Sequence, residues 1–283
     1  VYLGHGTDRY RDEAAQLVWH ALKLPWTAQA RRALVARCYA RRVSAAEERA
    51  LRALVTRRIR ERIPAVYLTR RAGFAGLAFY VDERVLVPRS PIAELIERRF
   101  APWVEPRTVR RVLDLGTGSG CIAIACARAF PRARVDAVDI STAALEVARR
   151  NVRRHRLRGR VVVRQSDHFA ALGRATYDMI VANPPYVGTR ELRSLPAEYR
   201  HEPRCALFAG DDGLDSVRVI LRDAGRYLRS GGILVVEVGN TERAVRRVFP
   251  TLPCVWLEFE RGGGGVFVIS AGALAAFAAS QGG

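Results

Sequence analysis

Lysine is nearly missing from this chain: of its 47 Lys and Arg residues, every one but Lys23 is arginine. Methionine is as scarce, at one residue in 283. No apolar run approaches the roughly 20 residues that cross a bilayer, so a helical membrane protein is excluded and no membrane partner is expected. The five cysteines (Cys38, Cys121, Cys126, Cys205 and Cys254) form no CxxC pair, and the five histidines show no metal-ligand spacing. A structural zinc site and a disulfide scaffold are thereby excluded, and no metal is expected. Cys121 and Cys126 fall in an apolar helical stretch and read as core. An odd, scattered cysteine set with no secretory leader is expected of a reduced, cytoplasmic protein. There is no internal repeat and no low-complexity linker. The chain starts at Val1 rather than Met, which leaves room for a segment upstream.

What is present begins with a core: 49% of the residues are hydrophobic, enough for a large domain or a medium one with a small companion. The net charge of +19 suits an acidic partner such as RNA or a ribosomal particle. A bias toward arginine also follows from base composition alone, and both readings stay open.

Residues 1–71 read as helical. Apolar spacing predicts a helix from Asp12 to Leu22, ended by Pro25, and a second from Ala28 to Tyr39. Ser44 followed by Glu47 has the capping-box form and opens a third. That helix ends in Arg57-Arg58-Ile59-Arg60-Glu61-Arg62, a solvated surface or a docking face. Residues 72–105 form a bridge: alternation from Ala72 to Val87 suggests a hairpin, and Ile92–Phe100 a helix. From residue 106 to 283, strand and helix alternate. Strands are expected at 112–115, 135–138, 161–164, 177–182 and 233–238, with helices at 119–129, 142–154, 214–228 and 241–248. Two last strands, 256–260 and 266–269, are joined by a glycine turn. The pattern implies an α/β fold with a mainly parallel, doubly wound sheet and a closing hairpin. The tail from Ala271 reads as a last helical turn or a frayed end.

Asp114-Leu115-Gly116-Thr117-Gly118-Ser119-Gly120 joins the first strand to the first helix. GxGxG is neither the dinucleotide fingerprint nor a phosphate loop, and an acidic residue at its start repels phosphate. Asp114 suits a cationic or amino group instead. Asp139 ends the second strand, where a carboxylate accepts ribose hydroxyls. Asp167 follows the third, placed to meet an adenine amino group. Each aspartate alone could be a cap or a turn residue. Together, three acidic strand ends on one sheet edge describe a pocket for an adenosine that carries positive charge and no phosphate. S-adenosylmethionine fits.

Asn183-Pro184-Pro185-Tyr186 follows the strand 177–182. It offers an amide oxygen, carbonyls held by two prolines, and a flat ring, which together suit a planar amino group.

These stretches, with the Asp139 strand end, resemble the class I S-adenosylmethionine methyltransferases. More closely, they resemble the glutamine methyltransferases that modify release factors and a ribosomal protein. Gly4–Asp8, Phe79–Ile92 and Glu198–Pro203 are similar to the branch that acts on ribosomal protein L-three. Release-factor enzymes tend to read Pro-Arg-Pro and then an acidic residue where this chain has Pro88-Arg89-Ser90-Pro91. The resemblance implies a helical substrate-recognition domain over 1–71 and a seven-stranded Rossmann-like methyltransferase domain over 106–283. It implies that Asp114, Gly116, Thr117, Gly118, Gly120, Asp139, Asp167, His168 and Asn183 bind the cofactor. His168 stands where related enzymes often carry a bulky apolar residue over the adenine. Substrate contacts are implied for Arg89, Asn183, Pro184, Pro185 and Tyr186.

The expected chemistry needs no general base. Asn183 Oδ1 and the Pro184 carbonyl accept the two N–H bonds of a glutamine amide and aim its nitrogen at the methyl group, while Tyr186 walls the slot. The substrate is a translation protein, ribosomal protein L-three first and a release factor as the alternative, with ribosomal RNA or an assembly intermediate nearby. A nucleic-acid amino-methyltransferase and a non-catalytic RNA- or ribosome-binding protein on a methyltransferase-like scaffold are the rivals.

Overall fold

A computed structural model describes residues 1–3, 9–24 and 42–281. Among the described residues, three helices lead: α1 (Tyr10–Ala21), α2 (Ala45–Arg60) and α3 (Ala65–Thr69). The helix expected over 28–39 lies outside the described residues. The capping box of α2 is formed: Ser44 Oγ accepts the Glu47 N–H at 3.3 Å, and the Glu47 carboxylate accepts the Ser44 N–H at 3.0 Å. Two N–H groups that a helix start leaves unpaired are thus satisfied. The arginine-rich end of α2 is not simply a solvated or docking face, because Arg58 points inward and is buried.

The bridge differs from the expected long hairpin. Only β1 (Ala72–Phe74) and β2 (Leu77–Phe79) pair, antiparallel. Val81, Val85 and Val87 are buried as their alternation implied, but they lie outside any strand. The Asp82 carboxylate binds the Arg84 N–H at 3.1 Å and its guanidinium at 2.9 and 2.7 Å, which folds this stretch into a turn. α4 (Ile92–Glu97) follows.

The remaining elements are β3 (Arg111–Leu115), α5 (Cys121–Ala129), β4 (Arg134–Asp139), α6 (Thr142–Arg154), β5 (Val161–Gln165), β6 (Tyr177–Ala182), α7 (Thr189–Leu192), α8 (Asp215–Asp223), β7 (Leu228–Glu237), α9 (Glu242–Val248), β8 (Val255–Leu257), β9 (Val266–Ser270) and α10 (Ala271–Gln281). Seven strands form one sheet in the order β5-β4-β3-β6-β7-β9-β8. The first five run parallel, and β9 pairs antiparallel with both β7 and β8.

Alternation along the strands splits the core by face. Val112, Val135, Met179 and Val235 pack with α4 and α5. Leu113, Val138, Ile180 and Leu234 pack with α8 and α10. Strand β7 starts five residues before the expected 233, because Leu228 already pairs with Tyr177 across an irregularity in the register. Gly232 allows it: a Cβ there would lie 2.9 Å from the Arg229 carbonyl and 3.0 Å from that of Asp178. The alanine-rich tail is an 11-residue helix rather than a single turn or a frayed end, anchored by buried Leu274 and Phe277. The N-terminal helices share a third cluster with Ala144 and Val147 of α6, so they pack on the sheet domain. Cys121 and Cys126 are buried and free. Among the described residues, no helix is long and apolar enough to cross a membrane.

Strand β3 sits between β4 and β6, so chain order reverses at its carboxyl end. In doubly wound sheets that switch point leaves a crevice where ligands bind.

Candidate active site

A cavity of about 430 Å³ opens at this switch point. It gathers most of the residues the sequence singled out: Arg89, Gly116, Thr117, Gly118, Asp139, Asp167, His168, Asn183, Pro184 and Pro185 all line it. Asp114, Gly120 and Tyr186 do not, and each has a structural task beside it.

The glycine loop turns on left-handed backbone, with φ of +70° at Gly116 and +52° at Gly118. Gly120 shares that backbone, with φ of +80°, and also serves packing: a Cβ there would lie 3.3 Å from the Ala148 Cβ of α6. Asp114 is fully buried. Its Oδ2 accepts the Thr117 hydroxyl at 2.6 Å and the Ala123 N–H at 3.0 Å, so it holds the loop and the first turn of α5 together. Burial pushes its carboxyl up to about 7, against the pull of those two donors.

Asp139 faces the loop from the end of β4. Its Oδ2 accepts the Gly118 N–H and its Oδ1 the Ser141 N–H, each at 2.9 Å. One bond per oxygen leaves acceptor capacity on both for a ligand's hydroxyls. Burial raises its pKa, opposed by the backbone N–H groups of Ser141, Gly118 and Ile140. His168 is held in the left-handed region at φ +45°, with Nδ1 2.7 Å from Asp167 Oδ1.

Asn183 carries the sharpest feature. Its Oδ1 is buried and has no hydrogen-bond partner. An orphaned acceptor costs about 1–3 kcal/mol, so its retention on a cavity wall points to a donor that arrives with a ligand. The loop behind it is fastened by Val187, which donates to the Leu207 carbonyl at 2.8 Å and accepts the Ala209 N–H at 3.0 Å. Tyr186 turns away from the cavity and lies against Gly239, where a Cβ would come within 2.7 Å of its ring. The ring wedges the loop from behind rather than forming its front wall.

Sequence reasoning missed Glu237. It ends β7, next to the β6 end that leads into Asn183. Its buried carboxylate accepts the Ser90 hydroxyl. Burial pushes it up to about 7, against Ser90, the Arg89 charge and Tyr186. The rule that singled out three acidic strand ends also fits this fourth one. The folded protein keeps this proton up to about pH 7, while the unfolded chain loses it near 4.5. Stability therefore falls as pH rises through that window and levels above it, by at most about 3 kcal/mol. Glu237→Gln is expected to remove this share. Urea unfolding at about pH 5 and about pH 8 should show a smaller loss in the variant, and equal losses would exclude Glu237 as the source. Asp114 keeps its own share in both proteins.

Arg89 lines the cavity with its charge already engaged: its guanidinium grips both oxygens of Glu202, one at 2.8 Å, and lies 5.2 Å from the Tyr199 ring centroid. Arg84, the other arginine of the lining, is tied to Asp82 and to Glu146, each at 2.7 Å. The remaining charge comes from Asp139 and Asp167. That balance, with the glycine cradle and the Asp139 acceptors, fits a cationic adenosyl compound and not a phosphate.

Fold and cavity define a Rossmann-like methyltransferase that uses S-adenosylmethionine. A family model described as the methyltransferase small domain matches residues 98–196. The chain is 49% identical over 259 residues to the ribosomal protein uL3 glutamine methyltransferase of Bordetella pertussis, covering 91% of this chain and 85% of that protein. It is 42% identical over 271 residues to the protein of the same name from Francisella tularensis, covering 95% and 84%. The chain belongs to the family of ribosomal protein uL3 glutamine methyltransferases. Among solved structures, the hMettl16 catalytic domain bound to a MAT2A 3'UTR hairpin shares the fold at a TM-score of 0.52 and 19% identity, covering 80% of each chain. A methyltransferase from Pyrococcus furiosus does so at 0.50 and 18%, covering 81% of this chain and 99% of that one.

Proposed function

We propose that this protein transfers a methyl group from S-adenosylmethionine to the side-chain amide nitrogen of a glutamine in ribosomal protein uL3. The observation that carries this is the unpaired, buried Oδ1 of Asn183 on the wall of a cavity built for the donor. The relatives named for uL3 favour that substrate over a release factor. A ribosomal-protein substrate implies work in the cytoplasm, with ribosomal RNA or an assembly intermediate at hand.

The bound cofactor supplies an electrophilic methyl on a sulfonium. Asp139 would accept its ribose hydroxyls, Gly116, Thr117 and Gly118 would let the backbone approach it, and Asp167 and His168 would hold its adenine end. Asp114 and Gly120 act at one remove, by holding the loop and its helix. An amide nitrogen is a poor nucleophile because its lone pair is delocalised into the carbonyl. Asn183 Oδ1 and the Pro184 carbonyl accept its two N–H bonds, which fixes its orientation and favours pyramidalisation. The same acceptors stabilise the positive charge that grows on those N–H groups. Pro185 stiffens the loop and Tyr186 holds it from behind. The proton leaves to water after transfer.

The test is transfer of a labelled methyl group to free uL3, free release factor and naked ribosomal RNA. Label on a uL3 glutamine is expected. Label on RNA alone, or on none of the three, would overturn the reading.

A further inference from the structure

A second cavity, of about 460 Å³, lies away from the first, between α1, residues 69–71, Tyr80 and the C-terminal half of α6. Its lining includes Lys23, Arg70, Arg71, Arg150 and Arg154, and no carboxylate among the described residues. Arg70 reaches Glu83 at 2.5 Å, outside that lining.

Helix electrostatics explain part of this and not the rest. Arg154 ends α6, where a cation suits the helix dipole. Arg150 one turn earlier is a like-charge neighbour, which costs rather than helps. Arg71 and Lys23 converge on the same hollow from other segments. Burial and then the Arg154 charge lower the Arg71 pKa, and burial and then the Arg71 charge lower that of His20. An anion in the hollow would relieve the repulsion between Arg154 and Arg71.

The lining is also aromatic. The Arg150 guanidinium lies 3.5 Å from the Tyr80 ring centroid, and Trp19 lines the same hollow. Asn151 holds the Tyr80 backbone with hydrogen bonds of 2.8 and 2.9 Å, so the ring is fixed to α6. Cations interleaved with aromatic faces are what a single strand of nucleic acid meets: phosphates on the cations, bases on the rings. An acidic peptide would use the cations alone.

We propose that this groove binds a single-stranded RNA segment through its phosphodiester backbone. The phosphodiester chemistry follows from the groove; RNA rather than DNA rests on the ribosomal substrate proposed above. The groove and the catalytic cavity share α6, whose first turn lines the cavity at Ser141 and Ala144 while Arg150 and Arg154 line the groove.

The test is fluorescence anisotropy of the full chain with a labelled single-stranded RNA of mixed sequence, titrated at several salt concentrations. Arg150→Gln with Arg154→Gln is expected to weaken binding at least tenfold and to reduce the slope of log K against log salt by about 1–1.5, since each phosphate contact on a single strand contributes about 0.7. Lys23→Gln, on another element, should weaken it in the same direction. A control pair, Arg243→Gln with Arg247→Gln, removes the same charge from the exposed face of α9. Equal losses in both pairs would mean diffuse attraction to a basic protein and would overturn the site. Displacement by polyglutamate at RNA-like concentrations, or DNA binding as tight as RNA, would overturn it as well. Methyl transfer to free uL3 should be unchanged in the Arg150/Arg154 pair, so failure here and failure of the proposed activity are read separately.

Discussion

Asn183→Ala is expected to lower turnover by about 10²–10³ while leaving cofactor affinity nearly unchanged. The magnitude follows from the loss of one preorganised partner at a centre where charge develops. The Pro184 carbonyl survives the substitution, which argues for the lower half of that range. Stability should not fall. The buried Oδ1 of Asn183 has no partner within the protein, so removing it breaks no internal hydrogen bond. The variant should therefore unfold at the same denaturant concentration as the parent, or a higher one. Asp139→Ala is the contrast: losing hydrogen bonds to a charged acceptor should weaken cofactor binding about 10- to 100-fold by calorimetry. Turnover within a few-fold of the parent in Asn183→Ala would remove the amide from the scheme. An unfolding midpoint well below the parent's would show that Asn183 holds the loop rather than the substrate.

The glycine and aspartate edge of this cavity was legible because its chemistry is local. Each of the three aspartates lies at or near a strand end, each loop glycine adopts left-handed backbone, and a parallel sheet brings strand ends to one edge whatever the detail of the packing. Roles inside that edge were less legible. Asp114 and Asp139 read alike as acidic strand ends, yet one is sealed under the loop and the other lines the cavity. The difference is the Ala123 N–H at the start of α5, a partner that exists only once the helix is placed. Tyr186 read as a wall of the slot because it adjoins the prolines, but the space against Gly239 decides where the ring goes. Glu198 to Pro203 was legible only as a resemblance. Its physical role is long-range, since Glu198 pairs with Arg58 and Arg62 and Glu202 with Arg89. No periodicity or short motif encodes a contact across 140 residues.

That clasp yields the largest expected effect on stability. Arg58 is 4% exposed, and its guanidinium binds the Glu13 carboxylate, Glu198 Oε1 at 3.1 Å and the Tyr2 carbonyl at 2.7 Å. Arg58→Ala leaves two buried carboxylates near one another. Glu198 keeps Arg62 at 2.9 Å and the Tyr2 N–H at 2.8 Å, whereas Glu13 loses its guanidinium partner. Stranding a buried charge costs about 3–5 kcal/mol, and the variant should lose about that much unfolding free energy near neutral pH. The loss should shrink in acid. Burial raises the Glu198 carboxyl, but Arg62, the Tyr2 N–H and Arg58 bring it down to about 2. A carboxylate depressed in this way contributes stability above about pH 4.5 and loses it as pH falls toward 2. Arg62 and the Tyr2 N–H remain in the variant, so the gap between parent and variant should narrow across that window by the share that Arg58 supplies. Arg58→Ala with Glu13→Gln separates the causes, because it removes the stranded charge and leaves the arginine's volume unfilled. Recovery of most of the loss would assign the cost to the unpaired carboxylate. No recovery would assign it to the arginine's own packing between α1, α2 and the 197–203 segment.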